Sequence, residues 1–263
     1  MAQLRFPLPP TSEPLRYVRA PEPIRFPEEE EVPEGYSHLV VRAFLFRLLS
    51  FALGQAHTVG SEQFIYWNAS NSAVRVAPDV FVKLGHPQPA KLGSWQTWVM
   101  GGAPDLAVEV VSPNEGDGVD WGEELARYHQ LGVAELVRFD AEAPEGQRLR
   151  VWDRVQGDLV ERQLGGERTP CLTLGLSWTV RMIPSPSGGE RVGLRLVDDE
   201  GRLLRTPEEA EAARADAEAA RADAEATRAD AEAARAEAEA RIRAAAETRI
   251  RELEEQLRRA QGQ

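Results

Sequence analysis

The chain predicts an α/β fold with an α-β-β-β-α-β core and a long C-terminal helix, and three observations carry that prediction. Leu106–Val111, an apolar β-branched run between Pro104 and Pro113, reads as a buried central strand. Apolar residues at helical spacing flank the strand-rich middle, over residues 38–53 and 120–131. From Glu211 a seven-residue repeat of Ala, Glu, Arg and Asp runs to about Glu239, the composition and period of a long helix.

Length and charge bound the reading. The 263 residues hold a Pro-rich arm over residues 1–36, an α/β domain over 37–200 and a helical tail over 206–263. The net charge is −12, and the tail holds 10 basic and 15 acidic residues, which leaves −7 for the rest. An acidic body argues against broad, non-specific phosphate binding and leaves room for a local basic groove. Cys171 is the single cysteine, so no internal disulfide forms, and the chain suits a reducing cytoplasm. Arg5 and the early prolines predict no signal peptide, and Leu39–Leu53, interrupted by Arg42 and Arg47, is too short to span a bilayer. No membrane partner is expected.

The elements follow in order. Prolines 7, 9, 10, 14, 21, 23, 27 and 33 forbid a regular helix in the arm, which is expected to lie extended over the body with Leu15, Tyr17, Ile24 and Phe26 as anchors. Ser37 is placed to cap a helix from His38 to Leu53 that Gly54 stops. His38 reads as a surface residue beside that cap, since nothing local pairs with it, with a functional role as the alternative. Strands are expected at Gln63–Asn68 and Val74–Leu84, then a loop or lid over Gly85–Gly101, then the central strand. Asp120 should cap the next helix with Glu123 in a capping box, and Gly132 should end it. Calcium binding by Asp117 and Asp120 fails for want of the other loop ligands. Strands at Glu135–Asp140, Leu149–Val155, Asp158–Gln163 and Val192–Val197 complete an α/β or α+β sandwich.

Two carboxylates fall inside this framework. Glu109 interrupts the central strand, where an ionised group is costly unless hydrogen bonds or a metal satisfy it. Backbone amides capping the carboxylate at a strand end remain the plain alternative. Asp79, directly after Pro78, tips the balance: strands pair at about 4.8 Å, so Asp79 and Glu109 meet if their strands are neighbours.

Pro78-Asp79-Val80, the stretch Pro104 to Pro113, Asp120, Tyr128, Gly132-Val133 and a strand ending in Asp140 together resemble the Uma-type restriction endonuclease family of the PD-(D/E)XK nuclease superfamily. His38 fits the same pattern. The resemblance covers roughly residues 35–180 and lies in the order and spacing of the motifs. It implies a restriction-endonuclease-like mixed sheet flanked by helices, with Asp79 and Glu109 as ligands of Mg²⁺ (or Mn²⁺) and DNA as substrate. It also implies a lysine near the attacking water. Two residues after the glutamate stands Val111, and at the position four residues before the tyrosine, where the Uma-type subgroup places the lysine, stands Glu124. Only Lys83 and Lys91 exist. Lys83 lies roughly 13 Å along its strand from Asp79, so Lys91 in the expected lid and Arg127 beside Glu124 are the candidate cations. A guanidinium stabilises phosphate charge but does not serve as a base. Two functions follow: a Mg²⁺-dependent endonuclease impaired by Glu124, or a non-catalytic interaction protein that keeps the nuclease fold and assembles through its tail.

In the tail, Ala212, Ala215, Ala219, Ala222, Ala226 and Ala229 alternate at spacings of three and four, a coiled-coil seam. Glu211, Arg214 and Glu218 provide intrahelical ion pairs. Alanine buries little, so the stronger seam is the last one, Ala246, Ile250, Leu253, Leu257 and Ala260, and self-association is expected there. The repeat carries no pattern that calls for body contacts, so a cut before Thr206 is expected to leave the body intact.

Overall fold

The computed structural model describes residues 35–91, 93–112 and 120–261. The Pro-rich arm, with its four expected anchors, and the acidic loop 113–119 lie outside the described residues.

Helix α1 (Tyr36–Leu53) opens the fold. Its N-cap is Gly35, in extended conformation and without a side-chain bond, so Ser37 lies inside the first turn and does not cap it. Strands β1 (Thr58–Gly60), β2 (Ile65–Tyr66), β3 (Arg75–Val76), β4 (Val80–Lys83), β5 (Trp95–Gln96) and β6 (Leu106–Val110) follow. Helix α2 (Trp121–Leu131) crosses to β7 (Glu135–Phe139), and β8 (Leu149–Val155) and β9 (Asp158–Glu161) extend the sheet. Strands β10 (Arg168–Cys171), β11 (Leu176–Pro184) and β12 (Glu190–Val197) form a second, antiparallel sheet, and α3 (Pro207–Gln261) ends the fold.

The main sheet has six strands in the order β1-β4-β6-β7-β8-β9. Only β6–β7 is parallel, joined through α2, so α1, β1, β4, β6, α2 and β7 reproduce the expected α-β-β-β-α-β core. Its members differ from the expectation in two places. The first strand is the three-residue β1, too short for periodicity to reveal, whereas Ile65 pairs in a small separate sheet, β3-β2-β5. The run from Val74 to Leu84 splits into β3 and β4 because Pro78, with no amide hydrogen, cannot continue a ladder. The stretch from Gly85 to Gly101 is not a free lid either. Trp95 is fully buried, its strand pairs with β2, and its Nε1 donates to the Gly102 carbonyl at 2.9 Å.

Alternation places two apolar layers on the sheet. Val82, Val108, Val110, Val137 and Phe139 meet Val41, Leu45, Leu48 and Leu49 of α1 and, beyond them, Trp178 and Leu196 of the second sheet. Phe81, Ala107, Leu136 and Trp152 meet Tyr128 and Leu131 of α2. The segment Tyr36–Ala56 has the length and apolarity of a membrane span. In this fold the buried face of α1 is part of the first layer.

Helix α3 is a continuous helix of 55 residues whose first turn is bound to the body. Thr206 Oγ1 accepts from the Glu209 amide at 3.3 Å, and Glu209 Oε2 accepts from the Thr206 amide at 2.9 Å, a reciprocal capping box. Glu209 also takes both guanidinium nitrogens of Arg195 on β12, at 2.8 and 2.7 Å. Arg47 of α1 pairs with Glu208. The expectation of a tail independent of the body therefore fails at its first turn, where a buried arginine depends on it. Beyond that turn the seam positions are exposed.

Candidate active site

Asp79 occupies the bend between Pro78 and β4, one step beyond the paired residues Val80 and Val108, which sets it opposite Glu109. It is only 6% exposed. Its Oδ2 accepts from the Val110 amide at 2.7 Å, and its Oδ1 meets Nε2 of His38 at 2.9 Å, with Arg42 Nε at 3.9 Å. His38 is buried rather than on the surface, because the first turn of α1 points across the sheet at the end of β4. It orients Asp79, and the reading of His38 as a bystander is corrected.

Glu109 points to the α2 face. Tyr128, fully buried on α2, donates its hydroxyl hydrogen to Glu109 Oε1. Desolvation, then the charges of Asp79 and Glu124, drive the Glu109 carboxyl well above the usual carboxylate range; the Tyr128 hydrogen bond opposes this, and a hydrogen bond with Asp79 adds to it. Burial and then the same glutamate raise the Tyr128 hydroxyl as well. Glu124 stands one helical turn before Tyr128, half-buried, and its charge acts on Glu109 and Tyr128.

α2 is placed by its ends. Asp120 caps it by accepting from the Gly122 amide at 2.8 Å, so its side-chain bond goes to Gly122 rather than to Glu123 as the capping box required. Gly132, at φ 91°, closes it in the left-handed conformation that glycine adopts without strain.

The expected cations are dispersed. Lys83 pairs with Asp105 at 3.2 Å. Lys91 is exposed ahead of β5, on a chain that is anchored by Trp95. Arg127 is exposed and shares a cleft of about 320 Å³ with Arg75, Ala77, Asp120, Glu123 and Glu124. Sequence reasoning missed a fourth, Arg138 on β7. It is paired in register with Glu109, so the two side chains leave the same face of adjacent strands. Its guanidinium lies 4.6 Å over the Trp121 ring, and it has no carboxylate partner among the described residues. An arginine set between Val137 and Phe139, on the same face as Leu136, is the signal that could have singled it out.

Among the described residues no three His, Cys, Asp or Glu side chains gather into a ready-made metal cage. The residues present nevertheless fit a hard cation. Asp79 and Glu109 are two oxygen donors set opposite each other, and burial together with the charges of Asp79 and Glu124 disfavours the ionised form of Glu109. Mg²⁺ is commonly held by one or two carboxylates, with water and phosphate oxygens completing its shell.

An α-β-β-β-α-β sheet that presents Asp79 and Glu109 from neighbouring central strands is a restriction-endonuclease-like domain. The chain belongs to the Uma2 family, described as "Putative restriction endonuclease", whose family model matches residues 28–182, more than half of the chain. Restriction-endonuclease-like proteins act on nucleic acid and generally use divalent metals. A solved structure, "a putative nuclease belonging to DUF820 from Anabaena variabilis ATCC 29413", aligns at 14% identity over 52% of this chain and 73% of that chain, with a TM-score of 0.37. That similarity is too low to carry structural detail across. No curated protein matches.

Proposed function

We propose that this protein is a metal-dependent endonuclease that hydrolyses DNA phosphodiester bonds, with Asp79 and Glu109 holding Mg²⁺ or Mn²⁺. The observation that carries the reading is the register of β4 on β6, which sets Asp79 opposite Glu109, with Asp79 buried beside His38. A bound divalent ion would activate water and neutralise charge developing on the scissile phosphate. The chain's own residues do the rest. His38 and the Val110 amide fix Asp79, Tyr128 fixes one oxygen of Glu109, and Arg138 offers a guanidinium to a phosphate. Glu124, in the place where the resemblance implies a lysine, adds negative charge toward an anionic substrate and makes the enzyme slow.

A second reading has Glu124 behind it: a non-catalytic interaction protein that keeps the nuclease fold and assembles through α3. In either case α3 is the assembly element, and a reduced buried Cys171 suits a cytoplasmic protein. Incubation of supercoiled plasmid with Mg²⁺ or Mn²⁺ separates the two. Nicking by the wild type that disappears in both Asp79→Ala and Glu109→Ala supports the nuclease. Absence of any nicking at either metal overturns it in favour of the interaction protein.

A further inference from the structure

Helix α3 carries two alanine seams, and their flanking charges differ. Along Ala212, Ala215, Ala219, Ala222, Ala226 and Ala229, the flanks are aspartates 216, 223 and 230 on one side and glutamates 218, 225 and 232 on the other. In a two-helix coil those flanks face the partner's flanks, so two copies meeting along this seam would set acid against acid whether parallel or antiparallel. The second seam, about a third of a turn or more away, is Ala217, Ala220, Ala224, Thr227, Ala231 and Ala234. Its flanks are of opposite sign: Asp216, Asp223 and Asp230 precede it, and Arg221, Arg228 and Arg235 follow it. In a parallel pair each leading flank meets the partner's trailing flank five residues further on, which joins 216 to 221, 223 to 228 and 230 to 235. In an antiparallel pair like would meet like. These three arginines are exposed and make no ion pair among the described residues.

Ile250, Leu253 and Leu257 fall five residues out of phase with the heptads of this seam, on another face of α3, so the pairing is confined to residues 216–235.

We propose that two copies of this chain pair in parallel and in register along the seam from Ala217 to Ala234, with aspartates 216, 223 and 230 of each helix facing arginines 221, 228 and 235 of the other. This rests on the reading of α3 as the assembly element and adds the seam, the orientation and the reason one face is chosen. Because Arg195 and Arg47 bind the first turn of each helix, parallel pairing places both bodies at the same end of two helices that are each about 80 Å long. Two candidate active sites are thereby brought to one stretch of substrate.

The test uses full-length protein at about 10 μM with light scattering, and circular dichroism to confirm that α3 remains helical. One variant carries Arg221→Glu, Arg228→Glu and Arg235→Glu; the other carries Asp216→Arg, Asp223→Arg and Asp230→Arg. The wild type should be a dimer, each variant a monomer, and their equimolar mixture a heterodimer. Ala224→Cys should form an interchain disulfide under mild oxidation, and Ala222→Cys should not. Variants that stay dimeric, or a cross-link at 222 and not at 224, overturn the seam while leaving assembly through α3 in place. A monomeric wild type overturns both.

Discussion

Glu209→Ala tests whether α3 is locked to the body. Arg195 has a side chain only 7% exposed, and Glu209, at 26%, supplies both of its carboxylate contacts. Without Glu209 the guanidinium retains the Leu204 carbonyl at 2.8 Å and its place 5.2 Å over the Phe44 ring. Breaking a buried pair from one side costs roughly 3–5 kcal/mol, because a charge is left without compensation. The partial exposure of Glu209 points to the lower end, about 3 kcal/mol, and the lost capping box adds about 1 kcal/mol. For a body of this size 1 kcal/mol moves Tm by about 2–4 °C, so a drop of roughly 8–16 °C is expected. Tryptophan fluorescence reads the body without the helix signal of α3. A chain cut after Arg205 should lose about as much, whereas one cut after Arg214 should melt like the full chain. Arg195→Met with Glu209→Ala should recover most of the loss. A drop below about 2 °C for Glu209→Ala, or equal melting of the two truncated chains, would refute the lock.

Other outcomes concern the site. Glu124→Lys should raise plasmid cleavage by about tenfold or more, since charge placed at a reacting phosphate is commonly worth several kcal/mol, and Asp79→Ala added to it should abolish the gain. Arg138→Ala should weaken duplex binding in a filter-binding assay and lower its salt dependence by about one phosphate contact, with Arg138→Lys restoring part of the affinity; equal or larger losses from Lys91→Ala or Arg127→Ala would move the role to them. Mn²⁺ should raise the melting temperature of the wild type and leave Asp79→Asn/Glu109→Gln unmoved, with an equal rise in both rejecting the ligand assignment. Glu109 has a raised folded-state pKa, so the metal-free fold binds an extra proton that the unfolded chain releases. Its stabilising contribution is complete below the unfolded glutamate pKa and is lost as pH rises through the folded one. Glu109→Gln should flatten that decline in melting temperature, and an unchanged pH profile would count against the carboxylate contact.

Local pattern and short-range chemistry determined much of this protein before any contact was known. An apolar run interrupted by one carboxylate marked β6 and Glu109. Asp120 and Gly132 bracketed α2 because caps act within a turn, and the seven-residue repeat announced α3. Asp79 and Glu109 were legible as candidates, one beside a strand and one inside it, that meet if those strands are neighbours, and the pairing of β4 with β6 makes them so. What only the tertiary structure decided are contacts between segments far apart in the chain, where no periodicity reaches. His38 joins Asp79 across 41 positions, and Arg195 holds Glu209 across the start of α3. Lys83 is taken up by Asp105, which a spacing along one strand could not reveal. The three residues of β1 are too few to show alternation, yet pairing with β4 makes them the edge of the main sheet. Arg138 came to share a face with Glu109 through the register of β6 on β7, and register is set by hydrogen bonds between strands that the sequence does not write down.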